Sequence, residues 1–311
     1  MGRFGCAVLL LLLGLGAQAE RIELDNGDVY EGDVVEGTRT GRGVYIWADG
    51  NRYEGEFDAN TMHGEGTYTW TDGRSYTGDF VRDLRHGRGR FVWANLDVYE
   101  GDFVDGQRTG QGTITWRGEA EYSGDFVDGE LHGQGSYRWQ DDRQDIGRFV
   151  NGQQSGDGVF IWPNGNRYAG QFSADQRNGE GVFYWRDGTI YRGQFSNNKT
   201  HGWGIKRSPD GQLELQHWID GSLDLTKLVT AQPHCALIHL ERPWMFDSPD
   251  CVNGLAHGTG VAASLDGQLI IPEARFVLGN LVQGTVLALP TDSPLDESPA
   301  PDSQTPVISS S

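Results

Sequence analysis

The feature that most limits what this chain can become is a period. Tyr30, Tyr53, Tyr76, Tyr99, Tyr122, Asp145, Tyr168 and Tyr191 stand 23 residues apart, with no insertion between them. Glycines follow in step two residues on (Gly32, Gly55, Gly78, Gly101, Gly124, Gly147, Gly170, Gly193), and Val34 or a phenylalanine follows two further on. Each unit then carries G-x-G, as at Gly64/Gly66, and four residues later a tryptophan: Trp47, Trp70, Trp93, Trp116, Trp139, Trp162 or Trp185. A strict period of this kind means repeated units that bury their apolar faces against neighbours.

Within a unit the side chains alternate. In Tyr53-Glu54-Gly55-Glu56-Phe57 the rings and the glycine share one face and the carboxylates the other, the signature of a half-buried strand. Asp-Gly or Asn-Gly pairs (Asp49-Gly50, Asp72-Gly73, Asn164-Gly165, Asp187-Gly188) supply the positive φ that tight hairpins require. One repeat therefore reads as one β-hairpin, with G-x-G at a turn. The glycine between the rings reads as bare backbone on which a neighbouring Tyr or Trp can lie. A lone hairpin is marginal in water, so the units are expected to pair edge to edge into an all-β, elongated single antiparallel sheet. Ile22-Glu23-Leu24 and Leu213-Glu214-Leu215, which break the motif, are expected to close its two ends.

Y-E-G-E-F at Tyr53–Phe57, then H-G-E-G at His63–Gly66 and an Asp-Gly turn, resembles the MORN repeat family over about residues 22–222. The resemblance implies hairpins stacked into a gently twisted sheet and a part in protein assembly. Phospholipid is the other ligand that it suggests. Unit six departs most, since Asp145-Ile146-Gly147-Arg148-Phe149 lacks the tyrosine and is expected to leave a gap in the aromatic stack.

Outside the array the chain divides by composition. Residues 1–19 read as a signal peptide: Arg3, an apolar run from Cys6 to Gly16, then Ala17-Gln18-Ala19 with cleavage before Glu20. This implies export to the periplasm or the extracellular space. Residues 20–222 hold the eight repeats. Residues 223–289 read as a divergent hairpin cap, in which Cys235 and Cys251 form a disulfide, the expectation for an even pair in an exported chain. Residues 290–311 turn to Pro, Ser, Asp and Thr and are expected to be disordered.

The chemistry is sparse. No G-x-S-x-G, H-E-x-x-H or P-loop is present, and the chain reads as a non-enzyme with no cofactor. His63, His86, His132 and His201 recur before G-x-G, but at a spacing of two strands, about 10 Å, they cannot share a zinc ion. Glu31, Asp33, Glu54, Glu56, Asp79, Glu100, Asp102 and Asp125 form a carboxylate stripe, a candidate interaction surface that gives way to Arg148, Gln171, Arg192 and Gln194. The aromatics Tyr53, Trp70, Tyr76, Trp93, Tyr99, Trp116, Tyr122, Trp139, Tyr168 and Trp185 read as structural. A net charge of −19 speaks against nucleic acid as partner.

Three readings of function follow. The first is an assembly scaffold holding a protein. The second is a phospholipid-associating module, for which only Arg82, Arg85, Arg88 and Arg90 gather around one loop edge. The third is carbohydrate binding through a ladder of aromatics, which requires that the tryptophans not be buried against the glycines.

Overall fold

The computed structural model describes residues 18–230, 235–237, 240, 242–247 and 251–291, with side chains from Glu20 onward. The predicted signal peptide, except for the backbone of Gln18 and Ala19, and all but the first two residues of the predicted tail lie outside this set. Every regular element among the described residues is a strand. Among the described residues no helix is long and apolar enough to cross a membrane. The chain divides into two compact units, one ending at Glu130 and one beginning at Leu131.

The first unit runs from β1 (Gln18–Glu23) to β10 (Glu121–Val127), each strand pairing antiparallel with the next in sequence. β4 (Arg52–Asp58) and β5 (Thr61–Thr69) show the repeat at full length. They are joined by Ala59 and Asn60, with φ of 45° and 69°. Two left-handed central residues make the tight turn whose twist suits a hairpin. The Asp-Gly and Asn-Gly pairs named above sit at the other end of their units, where Gly50 N donates to Trp47 O; Leu96, Glu119 and Asp142 take the glycine's place in three units.

Here the reading of G-x-G is corrected. Gly64 and Gly66 lie inside β5, not in a turn, and β4 shifts register against β5 between Gly55 and Glu56. This is a β-bulge, an extra residue that re-aims the strand. Gly64 is at φ +56°, the left-handed conformation the bulge needs. Gly66 serves a different purpose. A Cβ there would fall 2.3 Å from the Tyr53 hydroxyl, because that ring lies flat across it.

The second unit continues antiparallel through β11 (Glu130–Arg138), β12 (Gln144–Val150), β13 (Gln153–Ile161), β14 (Arg167–Ser173), β15 (Gln176–Tyr184), β16 (Ile190–Ser196), β17 (Lys199–Arg207), β18 (Leu213–Ile219) and β19 (Ser222–Leu228). The cap does not add strands beyond β19. It forms its own antiparallel sheet from β20 (Trp244–Asp247), β23 (Gly258–Ser264), β24 (Leu269–Val277), β25 (Asn280–Gln283) and β26 (Leu287–Ala288). A two-stranded pairing of β21 (Cys251–Val252) and β22 (Leu255–Ala256) stands beside it. Cys235 and Cys251 are disulfide-bonded, with Cα atoms 5.5 Å apart. One face of the cap packs Trp244, Phe246, Ile271 and Phe276 together. The other sets Met245, Ala263, Ile270 and Leu289 against Ile205 of β17 and Leu215 of β18.

Candidate functional site

The two faces of the repeat strands differ in chemistry. On the first lie two rows of rings. The inner row is Tyr30, Phe57, Tyr53, Phe80, Tyr76, Phe103, Tyr99 and Phe126, in edge-to-face contacts of 5.0 to 5.2 Å. These tyrosines are fully buried, and Tyr53 donates to the Glu56 carbonyl at 2.9 Å. Burial pushes the Tyr99 phenol up to about 12. Tyr168 and Tyr191 repeat the arrangement with Phe172 and Phe195 in the second unit.

The tryptophans are not the rings that cover the glycines. Trp47, Trp70, Trp93, Trp116, Trp139, Trp162 and Trp185 are all half-buried. In the first unit they form an outer row with residues the sequence reading passed over: Tyr45, Trp47, Tyr68, Trp70, Phe91 and Trp93, 4.3 to 5.7 Å apart and tilted by 39 to 66°. Phe160, Trp162, Phe183 and Trp185 do the same in the second. The signal was available, since an apolar ring stands two residues before most of these tryptophans. Neighbouring rings, with Arg74 over Trp70, lie against the indole faces. Among the described residues the indole N–H groups of Trp47, Trp70, Trp93, Trp162 and Trp185 donate to nothing.

Between the two rows sit arginines. Arg85 lies 5.1 to 5.8 Å from the rings of Tyr76, Phe91 and Phe103 and donates to the Gly106 carbonyl at 2.7 Å. Arg108 repeats this with Gly129. Such contacts hold one hairpin's turn to the strand before it.

The opposite face carries the carboxylate stripe, which falls into two classes. Glu31, Glu54 and Glu100 point to solvent, and each has an arginine beside it: Arg21 at 3.7 Å, Arg52 at 2.6 Å and Arg90 at 2.8 Å. Asp33, Glu56, Asp79, Asp102 and Asp125 are half-buried. Asp33, Asp79 and Asp102 accept the backbone N–H of Arg42, Arg88 and Gln111 at the bulge of the next strand, at 3.0 to 3.1 Å. Gln171 does this for Glu180 at 3.1 Å through its amide oxygen. The change from acid to glutamine along the chain thus keeps an acceptor and drops a charge. On this face the backbone at Gly43, Gly55, Gly66 and Gly78 floors an open trough of about 750 Å³, walled by Arg42, Glu54, Glu65, Thr67, Asp79 and Arg88.

The basic gathering at one loop edge is dispersed by the fold. Arg85 turns to the aromatic face, whereas Arg88 and Arg90 pair with Asp102 and Glu100 on the other. His86 and His201 approach Asp105 and Asp220, at 3.9 and 3.3 Å. Among the described residues no group of three or more His, Cys, Asp or Glu is placed to hold a metal.

Unit six does not contain the expected gap. Gln154, 1% exposed, fills the place of the tyrosine ring over Gly158 and donates to the Ile146 carbonyl at 3.3 Å. Asp145 is buried beside it and accepts from Trp139 Nε1 at 3.2 Å, while its Oδ1 has no partner among the described residues. Desolvation raises its pKa to about 6, against the Trp139 hydrogen bond, which lowers it.

The repeat period agrees with a known family model. The profile described as MORN repeat matches eight times, at residues 30–52, 53–73, 76–98, 99–118, 122–142, 146–167, 168–190 and 191–213. No curated protein sequence matches significantly. Among solved structures the chain is similar to the TCP10 domain of Danio rerio CPAP, at 15% identity and a TM-score of 0.39, over 67% of this chain and 99% of that one. It is also similar to the Drosophila melanogaster SAS-4 TCP domain, solved with a proline-rich motif of Ana2. That match has 10% identity and a TM-score of 0.31, over 70% of this chain and 99% of that one.

Proposed function

Because this chain belongs to the MORN repeat family, we propose that it is a non-catalytic binding and assembly scaffold, exported from the cell that makes it, whose aromatic face holds a protein partner. The observation that carries this is the outer row of rings. Its tryptophans are half-buried, and the indole N–H groups of Trp47, Trp70, Trp93, Trp162 and Trp185 donate to nothing among the described residues. Aromatic edges with a free donor suit a polypeptide, which offers apolar side chains and backbone carbonyls together. Export rests on the leader pattern of residues 1–19.

The alternatives draw less support. A sugar ring stacks on an open aromatic face, and here those faces are taken by neighbouring rings. An anionic membrane calls for an unpaired basic cluster, whereas Arg88 and Arg90 have acidic partners.

The test is a pull-down from the exporting cell's envelope fraction with the wild-type chain, a Trp70→Ala/Trp93→Ala variant and a Glu54→Gln/Glu100→Gln variant. Recovery of one defined protein is expected, falling about tenfold for the tryptophan variant alone, with unfolding midpoints showing that both variants stay folded. Equal recovery by all three would refute the aromatic surface. Flotation with anionic vesicles and no protein recovered would make the chain a lipid binder instead.

A further inference from the structure

Arg39, Arg85, Arg108 and Arg177 hold one position of the repeat, and each donates to the turn 21 residues on. Beyond Arg39 and Arg177 that turn ends in Asn60 and Asn198, whose side chains bond back to Arg39 N and Arg177 N. Beyond Arg85 and Arg108 it ends in Gly106 and Gly129. In no other repeat does an arginine face a glycine. The glycines leave open the space that asparagine fills elsewhere. What opens there is a cavity of about 330 Å³ on the aromatic face, lined by both arginines with Arg74, Phe91, Trp93 and Phe103.

The two guanidiniums at this cavity are under-used. Each carries five N–H donors, and each donates only through Nη2 to its turn carbonyl, at 2.7 and 2.6 Å. Neither forms an ion pair among the described residues, whereas Arg74 at the rim pairs with Asp72 at 2.8 Å. Asp128 also lines the cavity but makes no ion pair with Arg108. Burial and the charges of Arg108 and Arg74 lower the Arg85 pKa, against Tyr76, which raises it. Half-buried like charges without a counter-ion carry a cost that an incoming anion relieves.

We propose that this cavity takes an aspartate or glutamate side chain of the partner protein, its carboxylate between Arg85 and Arg108 and its stem against Phe91, Trp93 and Phe103. The planar guanidinium fork binds carboxylate through paired N–H bonds. Guanidiniums recessed among rings are open to a side chain on a stem, while a layer of anionic headgroups is repelled by a chain of net charge −19. The inference rests on the protein-binding reading of the aromatic face and narrows the partner to one that offers an acidic residue beside apolar ones.

NMR on the full chain tests this by following Nε–H of Arg85 and Arg108, and Nε1–H of Trp93, while the capped peptide Leu-Glu-Leu is added. Shifts at all three are expected, with binding of Leu-Gln-Leu at least tenfold weaker. Two variants should each weaken binding of the acidic peptide about tenfold. Arg85→Met/Arg108→Met removes the charges, and Met62 shows that the repeat accepts that side chain at this position. Gly106→Asn/Gly129→Asn keeps the charges and fills the opening; φ of 83° and 82° there lies close to the 69° and 67° of Asn60 and Asn198, so this variant folds. Unchanged binding in both variants, equal shifts with Leu-Gln-Leu, or no shift at all would overturn the proposal. So would a stronger response to phosphatidylglycerol vesicles than to the peptide, which would make the cavity a site for lipid phosphate. In the envelope pull-down, a partner lost by the tryptophan variant but recovered in full by the glycine variant would remove the cavity and leave the aromatic surface. Equal recovery by wild type and the tryptophan variant would remove the surface itself.

Discussion

At Asp145 the chain has a carboxylate where seven other repeats have a phenol, and the surroundings have been altered to suit. Gln154 supplies the cover over Gly158. The carboxylate itself faces Trp139, with Arg143 and Asp175 the charged groups that act on it. Its folded pKa, about 6, lies above its unfolded value, so the folded chain holds the proton more tightly. Stability therefore declines as pH rises from about 4 to about 6, and the ionised form costs on the order of 2 kcal/mol above that. Asp145→Asn should raise the thermal midpoint at pH 8 by several degrees, with the gain vanishing as pH approaches 4. Calorimetry at three pH values decides it. A gain that does not vary with pH would assign the effect to shape rather than charge. None of this was legible in the sequence, since Gln154 stands in a position that other repeats fill with Arg, Met, Leu or Thr. Its role exists only once the ring is gone.

The strand is the scale at which the glycines act. Gly66→Ala puts a methyl group 2.3 to 2.5 Å from atoms of a buried ring that cannot retreat, whereas Gly73→Ala meets nothing and bears only the strain of φ +92°. The first should cost about 3 kcal/mol and the second about 1 kcal/mol, read from urea midpoints. Equal costs would mean that the ring over Gly66 moves freely. The alternation of rings and carboxylates in Tyr53–Phe57 was sufficient to name the strand and its faces. What misled was turn chemistry. The Asp-Gly and Asn-Gly pairs after the tryptophans advertise turns at one end of the units, while several tight turns at the other end, Ala59-Asn60, Arg82-Asp83 and Ala174-Asp175 among them, carry no glycine, although Asp105-Gly106 and Asp128-Gly129 do. G-x-G was therefore read as the missing turn. The sequence left Tyr and Trp both open as the ring over the bare glycine, and it is tyrosine that reaches across it and finds a carbonyl for its hydroxyl.

Over the molecule as a whole the connections are set by the period. Asn60 Oδ1 accepts from Arg39 N, Asp83 Oδ1 from Met62 N and Asn198 Oδ1 from Arg177 N, each 21 residues back. At the opposite end of the strands Asn51 Oδ1 accepts from Thr71 N and Asp97 Oδ1 from Arg117 N, each 20 residues on. Excision of residues 53–75 removes one period and lets every remaining bond find an equivalent partner. That variant should fold, losing stability roughly in proportion to its length, whereas excision of twelve residues from the same place should abolish cooperative unfolding. The eight repeats and their phase were fully legible. The buried aliphatic residues Val159, Ala169, Val182, Ile205 and Leu215 were visible only as a fading of the acidic stripe, because the cap that packs on Ile205 and Leu215 has no repeat to announce it.

The order of pairing also decides how the first unit bears load. Its strands follow one another from β1 to β10, each bonded only to its sequence neighbours, and antiparallel bonds run perpendicular to the strands. A force applied between the first strand and the last is carried by a few bonds at a time and opens hairpins in turn, as a zipper parts. Such a unit yields gradually under tension and extends by one 23-residue step per event, giving length rather than breaking.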